Sequence, residues 1–376
     1  MSNKSIKILE IVGTIDGGGV GAVVYNYLLH MNKSGLDIDI LAFRNEKKKI
    51  GKPQFLENKF KDIGVNVIYI DHRNQGYRKH FKYYNSILKK GNYDIVHCHF
   101  GIWSTPYLYI AKKNKVKIRI AHSHVAVPEY KGIKGVLLEH SRSLLNSVTT
   151  DRFACGEEAG KYLWKTKKFV VMNNAIDISK FKFNENKRKS IRYELGIEKK
   201  QICIGNIGRF CYQKNQEFCI DLLNDLKRIP FKAIFVGDGE DFEKIKTKSK
   251  LYSLDNKIKF LGLRNDVPDL LQAIDILIMP SRYEGLPVVA VEAQTSGVPV
   301  IFSDHIAVES KILPESVFLP INNINAWTQE VKKMGSMKID RENAWKSSVK
   351  SGYDIDSKAR WLKGYYLDRV SQSINQ

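Results

Sequence analysis

Two doubly wound α/β domains, each on a parallel sheet, are the architecture the sequence predicts. Three observations carry that prediction. The chain has 376 residues, more than one ordinary hydrophobic core accommodates. Short apolar runs alternate with helix-length stretches, which is the pattern of βαβ units and a parallel sheet. The rhythm also occurs twice, on either side of a polar stretch over 180–189 that reads as a linker.

In the first half the strand-like runs are 6–12, 38–43, 65–70, 95–98, 118–121 and 152–154. Helical stretches lie between them, among them 20–31 and 80–90. The second half has strands at 202–207, 232–236, 257–261, 276–279 and 299–302. Its helices are expected at 214–228, 241–250, 266–272 and 287–296. Residues 357–372 read as a final amphipathic helix. The expected domains are therefore 1–180 and 181–356, with the terminal helix (357–376) packing back on the first. A doubly wound domain places its ligand at the carboxyl ends of its strands.

Apolar residues make up 43% of the chain, a globular composition. No apolar run approaches the roughly 18 residues needed to cross a bilayer. The start of the chain reads as a buried strand, too short and too charged for a signal peptide. Cys98, Cys155, Cys203, Cys211 and Cys219 form no CxxC, so free thiols in a reducing cytoplasm are expected. Net charge is +21; residues 1–180 hold 30 Lys and Arg against 15 Asp and Glu, and residues 181–376 hold 31 against 25. A basic first half fits either an anionic partner or a solvated lysine-rich surface.

The strongest motif is Pro280-Ser281-Arg282-Tyr283-Glu284-Gly285-Leu286-Pro287, running into an apolar helix that holds Glu292. Pro287 suits the first helical position, and the helix N-terminus offers N–H groups to an anion. A carboxylate at Glu292 can accept two ribose hydroxyls. Glu284 can hold a sugar hydroxyl, with the N–H groups of Gly285 and Leu286 reaching the same ring. The second motif, Gly208-Arg209 with Gln213-Lys214-Asn215, ends a strand with two cations five positions apart. Such a pair clamps a diphosphate from two sides. A glycine-rich turn, Gly13 to Gly21, permits close backbone approach but lacks the acidic partner of a dinucleotide fingerprint. His97-x-His99 and His122-x-His124 both end strands and should face the ligand side. No acid with ligand-like spacing accompanies them, so no metal site is expected. Asp37-x-Asp39 opens a strand, at the edge away from ligands, and reads as surface charge.

These motifs resemble the retaining family 4 glycosyltransferases (glycosyl transferases group 1), above all the bacterial capsular and exopolysaccharide branch. The likeness runs nearly end to end. It also takes in Asp94 to His99, Arg119 to His124, Ala154 to Gly160, Asn174 to Asp177, Val236-Gly237-Asp238-Gly239 and Phe260-Leu261-Gly262 with Arg264. The resemblance implies a GT-B fold, two Rossmann-like domains facing a central crevice, and metal-independent transfer from a nucleotide sugar with no cofactor. It implies that Arg209 and Lys214 bind the donor diphosphate, Glu292 the ribose and Glu284 the transferred sugar. Leu263 and Arg264 would line the base pocket, and Gly237 would belong to the donor site. Gly18 and Gly19 would border the diphosphate and acceptor, and His122 or His124 would lie near the donor sugar. The donor would be a UDP-sugar, and the acceptor a glycan or a polyprenyl-diphosphate-linked glycan. Three departures stand out: Gly21 replaces a frequent Glu, Asn174-Ala175-Ile176-Asp177 replaces Asn-Gly-Ile-Asp, and Asn173 replaces the Pro that usually precedes it. The rivals are a sugar-nucleotide epimerase of the same fold and a non-catalytic binder of anionic glycan or nucleic acid. No nucleic-acid motif appears. The basic first half favours peripheral contact with an anionic membrane, with Lys112, Lys113, Lys115, Lys117, Lys131 and Lys134 flanking the histidines as the docking face.

Overall fold

The computed structural model describes residues 5–15, 19–44, 54–124 and 132–374. It separates into two compact units, Met1–Ala175 with Ile355–Gln376, and Ile176–Asp354. In the first unit lie β1 (Ile6–Ile11), β2 (Leu36–Phe43), β3 (Asn66–Ile70), β4 (Ile95–Cys98), β5 (Ile118–Ser123), β6 (Asp151–Ala154) and β7 (Val170–Val171). They form one sheet in the order β3-β2-β1-β4-β5-β6-β7, every neighbouring pair parallel. The second unit holds β8 (Ile202–Ile207), β9 (Phe231–Val236), β10 (Ile258–Phe260), β11 (Ile276–Met279), β12 (Val300–Ser303) and β13 (Val317–Leu319). Their order is β10-β9-β8-β11-β12-β13, again all parallel. Strand order reverses between β1 and β4 in one sheet and between β8 and β11 in the other. Those are the switch points where such sheets bind ligands.

Central strands read as unbroken apolar runs because helices cover both faces. β11 is buried along its whole length. In the first unit Leu9, Ile11, Val96 and Ala121 pack with Tyr84, Tyr107 and Trp164 from the helices. In the second, Ile204, Phe235 and Ile278 pack with Leu223, Trp327 and Val331. The edge strands β7 and β13 have only two and three residues, which is why periodicity did not find them.

Two expectations need correction. The stretch 180–189 is no open linker: helices Ile178–Phe181 and Glu185–Glu194 occupy it. The second is capped by the Asn184 side chain at Lys187 N. Its inner face is built of arginine instead of leucine. Arg192 is buried and reaches Asp275 at 3.0 Å, while Arg188 meets the same carboxylate at 2.5 Å. Asp39 is not surface charge either: it is buried, and accepts from Tyr93 Oη at 2.5 Å and Asn66 Nδ2 at 2.9 Å. The terminal helix spans Ile355–Ile374 and packs on Gly19–His30 within the first unit. Arg369 and Tyr365 fasten it to Asp151 on β6 at 2.6 and 2.5 Å.

Candidate functional site

At the switch point of the second unit, two loops that are distant in sequence are sewn together. Asn215 Nδ2 donates to Pro280 O at 3.1 Å, and Arg282 N donates to Gln213 O at 2.8 Å. Arg282 Nη2 reaches Asn215 Oδ1 at 2.9 Å, and Gln213 Nε2 reaches Tyr283 O at 3.0 Å. This stitching brings Lys214 Nζ to 2.5 Å from Glu284 Oε1, which also accepts from Ser281 Oγ at 3.0 Å. Arg209, at the end of β8, is exposed and pairs with Glu240 at 2.9 Å. Gly237 closes the end of β9 at φ +134°, and an added Cβ there would meet Gly208 O at 2.0 Å. The backbone at that place admits glycine alone.

Pro287 caps the helix Val288–Thr295 instead of occupying its first turn, with φ −72° and ψ 120°, and supplies no side-chain cap. Gly285 and Leu286 precede it, Leu286 buried. Glu292 lies on this helix, and burial pushes its carboxyl pKa up to about 7. Among the described residues, no donor reaches that carboxylate. Glu292 is part-buried, so an incoming pair of hydroxyls could reach its carboxylate and relieve the cost of its missing partner. Leu263 is 80% exposed just beyond β10. Arg264 holds Asp266 with two bonds, at 2.8 and 2.6 Å.

The first unit's switch point is built differently. Glu10 on β1 stands in register with His97 on β4. Residues two apart on a strand share a face, so His97, His99, His122 and His124 stack there. Ring centroids are 4.2 Å apart for His97 and His99 and 4.0 Å for His122 and His124. Contrary to expectation they do not line an open face: His97, His99 and His122 are buried, and only His124 is part-exposed. Glu10 Oε2 meets His99 Nε2 at 2.8 Å, and His99 Nδ1 meets His124 Nε2 at 2.9 Å. Tyr366, from the terminal helix, donates to Glu10 Oε1 at 2.7 Å and meets His97 Nδ1 at 2.7 Å. His97 Nε2 in turn meets His122 Nδ1 at 3.2 Å. Burial opposes the Glu10 charge, yet His97 and His99 hold its pKa well below the carboxylate range. Burial and neighbouring rings lower His99 to about 4 and keep His122 and His124 well below ordinary histidine.

His97, His99 and His122 could offer nitrogens within 4.8 Å of one another. The rings of His97 and His99, however, lie 24° from parallel. Imidazole lone pairs lie in the ring plane, so stacked rings direct them side by side, away from a common point. The geometry is that of a hydrogen-bonded network. Sequence reasoning missed Glu10 and Tyr366. The available signal was a lone acid inside an apolar strand; Tyr366 left none.

Gly19 opens its helix at φ +59°, while Gly18 lies outside the described residues. A Cβ at Gly21 would meet Thr14 O at 2.7 Å, so the turn here excludes the glutamate common in the family. The lysine cluster needs correction. Lys112, Lys113, Lys115 and Lys117 precede β5 and lie at its amino end, whereas His122 and His124 lie at its carboxyl end. Lys112 and Lys117 bond the carbonyls of Ser147 and Ser373. Lys131 and the Lys134 side chain lie outside the described residues.

Two Rossmann-like units, one bearing a cation–carboxylate pair and a part-buried acid after its switch point, have the architecture of a GT-B glycosyltransferase. Residues 187–350 match the family model Glycosyl transferases group 1, and residues 17–180 match Glycosyltransferase Family 4. The chain belongs to the glycosyltransferases that carry these two domains in tandem. It is 27% identical over its whole length to the whole of the Putative glycosyltransferase EpsF of Bacillus subtilis (strain 168). It is 25% identical, over 76% of this chain and 78% of the relative, to the UDP-Gal:alpha-D-GlcNAc-diphosphoundecaprenol alpha-1,3-galactosyltransferase of Escherichia coli. Among solved structures, Anabaena HepE in complex with UDP and glucose superimposes with a TM-score of 0.75 at 17% identity, over 96% of this chain and 99% of that one.

Proposed function

We propose that this glycosyltransferase moves a sugar from a UDP-sugar to a glycan or polyprenyl-diphosphate-linked acceptor in the assembly of a surface polysaccharide, retaining anomeric configuration without a metal. The observation that carries the reading is the Lys214–Glu284 pair on the loops after β8 and β11, together with the part-buried, partnerless Glu292 on the helix that follows. A diphosphate arriving at Lys214 and Arg209 displaces their carboxylate partners. Glu284 is then released to bond a hydroxyl of the sugar, and Glu292 accepts the ribose hydroxyls. Fixed cations aimed at the leaving diphosphate stabilise the charge that builds there, which is what a metal would otherwise do. Attack from the leaving-group side, with the departing phosphate taking the acceptor's proton, gives retention and needs no enzyme nucleophile.

The choice of UDP and of a lipid-linked acceptor is supported by the relatives. HepE holds UDP and glucose, and the Escherichia coli enzyme is named for UDP-Gal and a diphosphoundecaprenol acceptor. Such an acceptor lies at a membrane. No helix among the described residues is long and apolar enough to cross one, so contact would be peripheral. Helix Ile133–Val148 exposes Ile133, Val136 and Leu137, a patch suited to an interface within a basic half.

The test incubates the protein with a panel of nucleotide sugars in excess EDTA and follows release of free nucleotide. Hydrolysis or transfer with a UDP-sugar is expected. Activity lost in EDTA and restored by Mn²⁺ would overturn metal independence. An inverted anomer in the product would overturn retention.

A further inference from the structure

With all four rings neutral, the hydrogen bonds around Glu10 admit one consistent set of ring protons. An ionised carboxylate only accepts. Tyr366 therefore spends its proton on Glu10 Oε1, and its oxygen can only accept from His97 Nδ1. A neutral His97 protonated on Nδ1 has a bare Nε2, which must accept from His122 Nδ1. His122 is then left with a bare Nε2. That atom is buried and has no partner among the described residues. On the other branch, His99 donates from Nε2 to Glu10 Oε2, so its bare Nδ1 accepts from His124 Nε2. His124 is left with a bare Nδ1.

We propose that Glu10 and Tyr366 are positioning residues, which fix four ring tautomers so that His124, the part-exposed ring, presents a bare nitrogen as acceptor for a substrate hydroxyl. The two branches carry opposite tautomers: Nδ1–H at His97 and His122, Nε2–H at His99 and His124. An imidazole held this way accepts from the hydroxyl of a sugar or an acceptor and cannot donate to a phosphate. The identity of that hydroxyl rests on the transfer reading above, while the tautomers stand without it. The terminal helix, far away in sequence, thereby acquires a part in the site through Tyr366. Both strand-end histidines sit at the carboxyl end of β5, the ligand side of this sheet.

The test is ¹⁵N-histidine NMR on the full chain at pH 8, where long-range proton–nitrogen correlations show which ring nitrogen carries the proton. The two opposed pairs are expected. Tyr366→Phe should release the tautomers of His97 and His122 and leave His99 and His124 as they were. Glu10→Gln can turn its amide nitrogen toward His99, which would reverse the tautomers of His99 and His124. Turnover should then fall roughly tenfold or more, with the Kd for UDP unchanged. A doubly protonated ring in the cluster at pH 8, or Tyr366→Phe leaving all four tautomers unchanged, would overturn the proposal. Adding a UDP-sugar should move the bare-nitrogen resonance of His124; if it does not move, the substrate contact is wrong. The expected tautomers in a protein that consumes no nucleotide sugar would sink the transfer reading and leave the network standing.

Discussion

The carboxyl ends of β1 and β4 and those of β8 and β11 occupy the same place in sheets of the same strand order, yet their chemistry is opposite. At β8–β11 each cation has a single carboxylate partner, Glu284 for Lys214 and the exposed Glu240 for Arg209, and Glu292 has none among the described residues. At β1–β4 one buried carboxylate organises a tyrosine and four histidines through a continuous set of hydrogen bonds. The first arrangement has charge to offer an incoming ligand. The second has spent nearly all its hydrogen-bonding capacity on itself. One sheet end is therefore built to exchange partners, and the other to hold an orientation.

Mutations that remove one member from each end should separate these roles. The largest effect is expected from Glu10→Ala, which leaves Tyr366 and His99 buried without their acceptor. Removing one partner of a buried charged group costs about 3–5 kcal/mol, so denaturant unfolding should shift accordingly. A shift below about 0.5 kcal/mol, the size of a surface change, would mean the network is not a structural unit. Lys214→Ala should lower the unfolding midpoint by less than Glu10→Ala does, because Glu284 loses its cation but keeps the Ser281 hydrogen bond. Turnover should nevertheless fall about a hundredfold or more, the usual loss when one fixed donor to a developing charge is removed. Near-normal steady-state rates would take the diphosphate away from that lysine.

Glu292 sharpens the contrast through pH. Its native carboxyl keeps its proton up to about pH 7, whereas the unfolded chain releases it near 4.5. The native state therefore binds the extra proton between those values, and stability falls as pH rises through that window. Glu292→Gln should flatten the slope and raise stability at pH 8 by about 1–3 kcal/mol, measured by unfolding at several pH values, while weakening UDP binding. The same slope in both proteins would show that Glu292 is solvated. The smallest effect is expected at Leu263, which is 80% exposed. Leu263→Ala should change stability by about 0.5 kcal/mol or less while lowering nucleotide affinity a few-fold in titration calorimetry. Unaltered affinity would remove it from the base pocket.

Much of this was legible in the chain because parallel strands, buried on both faces, are unbroken apolar runs: 202–207 and 276–279 were read with the bounds they have. Reading by apolarity failed where a buried face is polar. The helix Glu185–Glu194 buries Arg192 against Asp275, and so passed for a linker. Asp39 is buried beneath Tyr93, and so passed for surface charge.

The sequence by itself determined the two-sheet architecture, the family and the candidate residues of the donor motifs, since each of these rests on spacing within a short stretch. Only the tertiary structure decided which of those residues meet. Lys214 reaches Glu284 seventy positions away because Asn215, Gln213 and Arg282 tie their loops together. Glu10 reaches Tyr366 because the terminal helix folds back onto the first unit. Such pairings depend on strand order and helix docking, which follow from how whole faces are buried and leave no mark at the residues that finally touch.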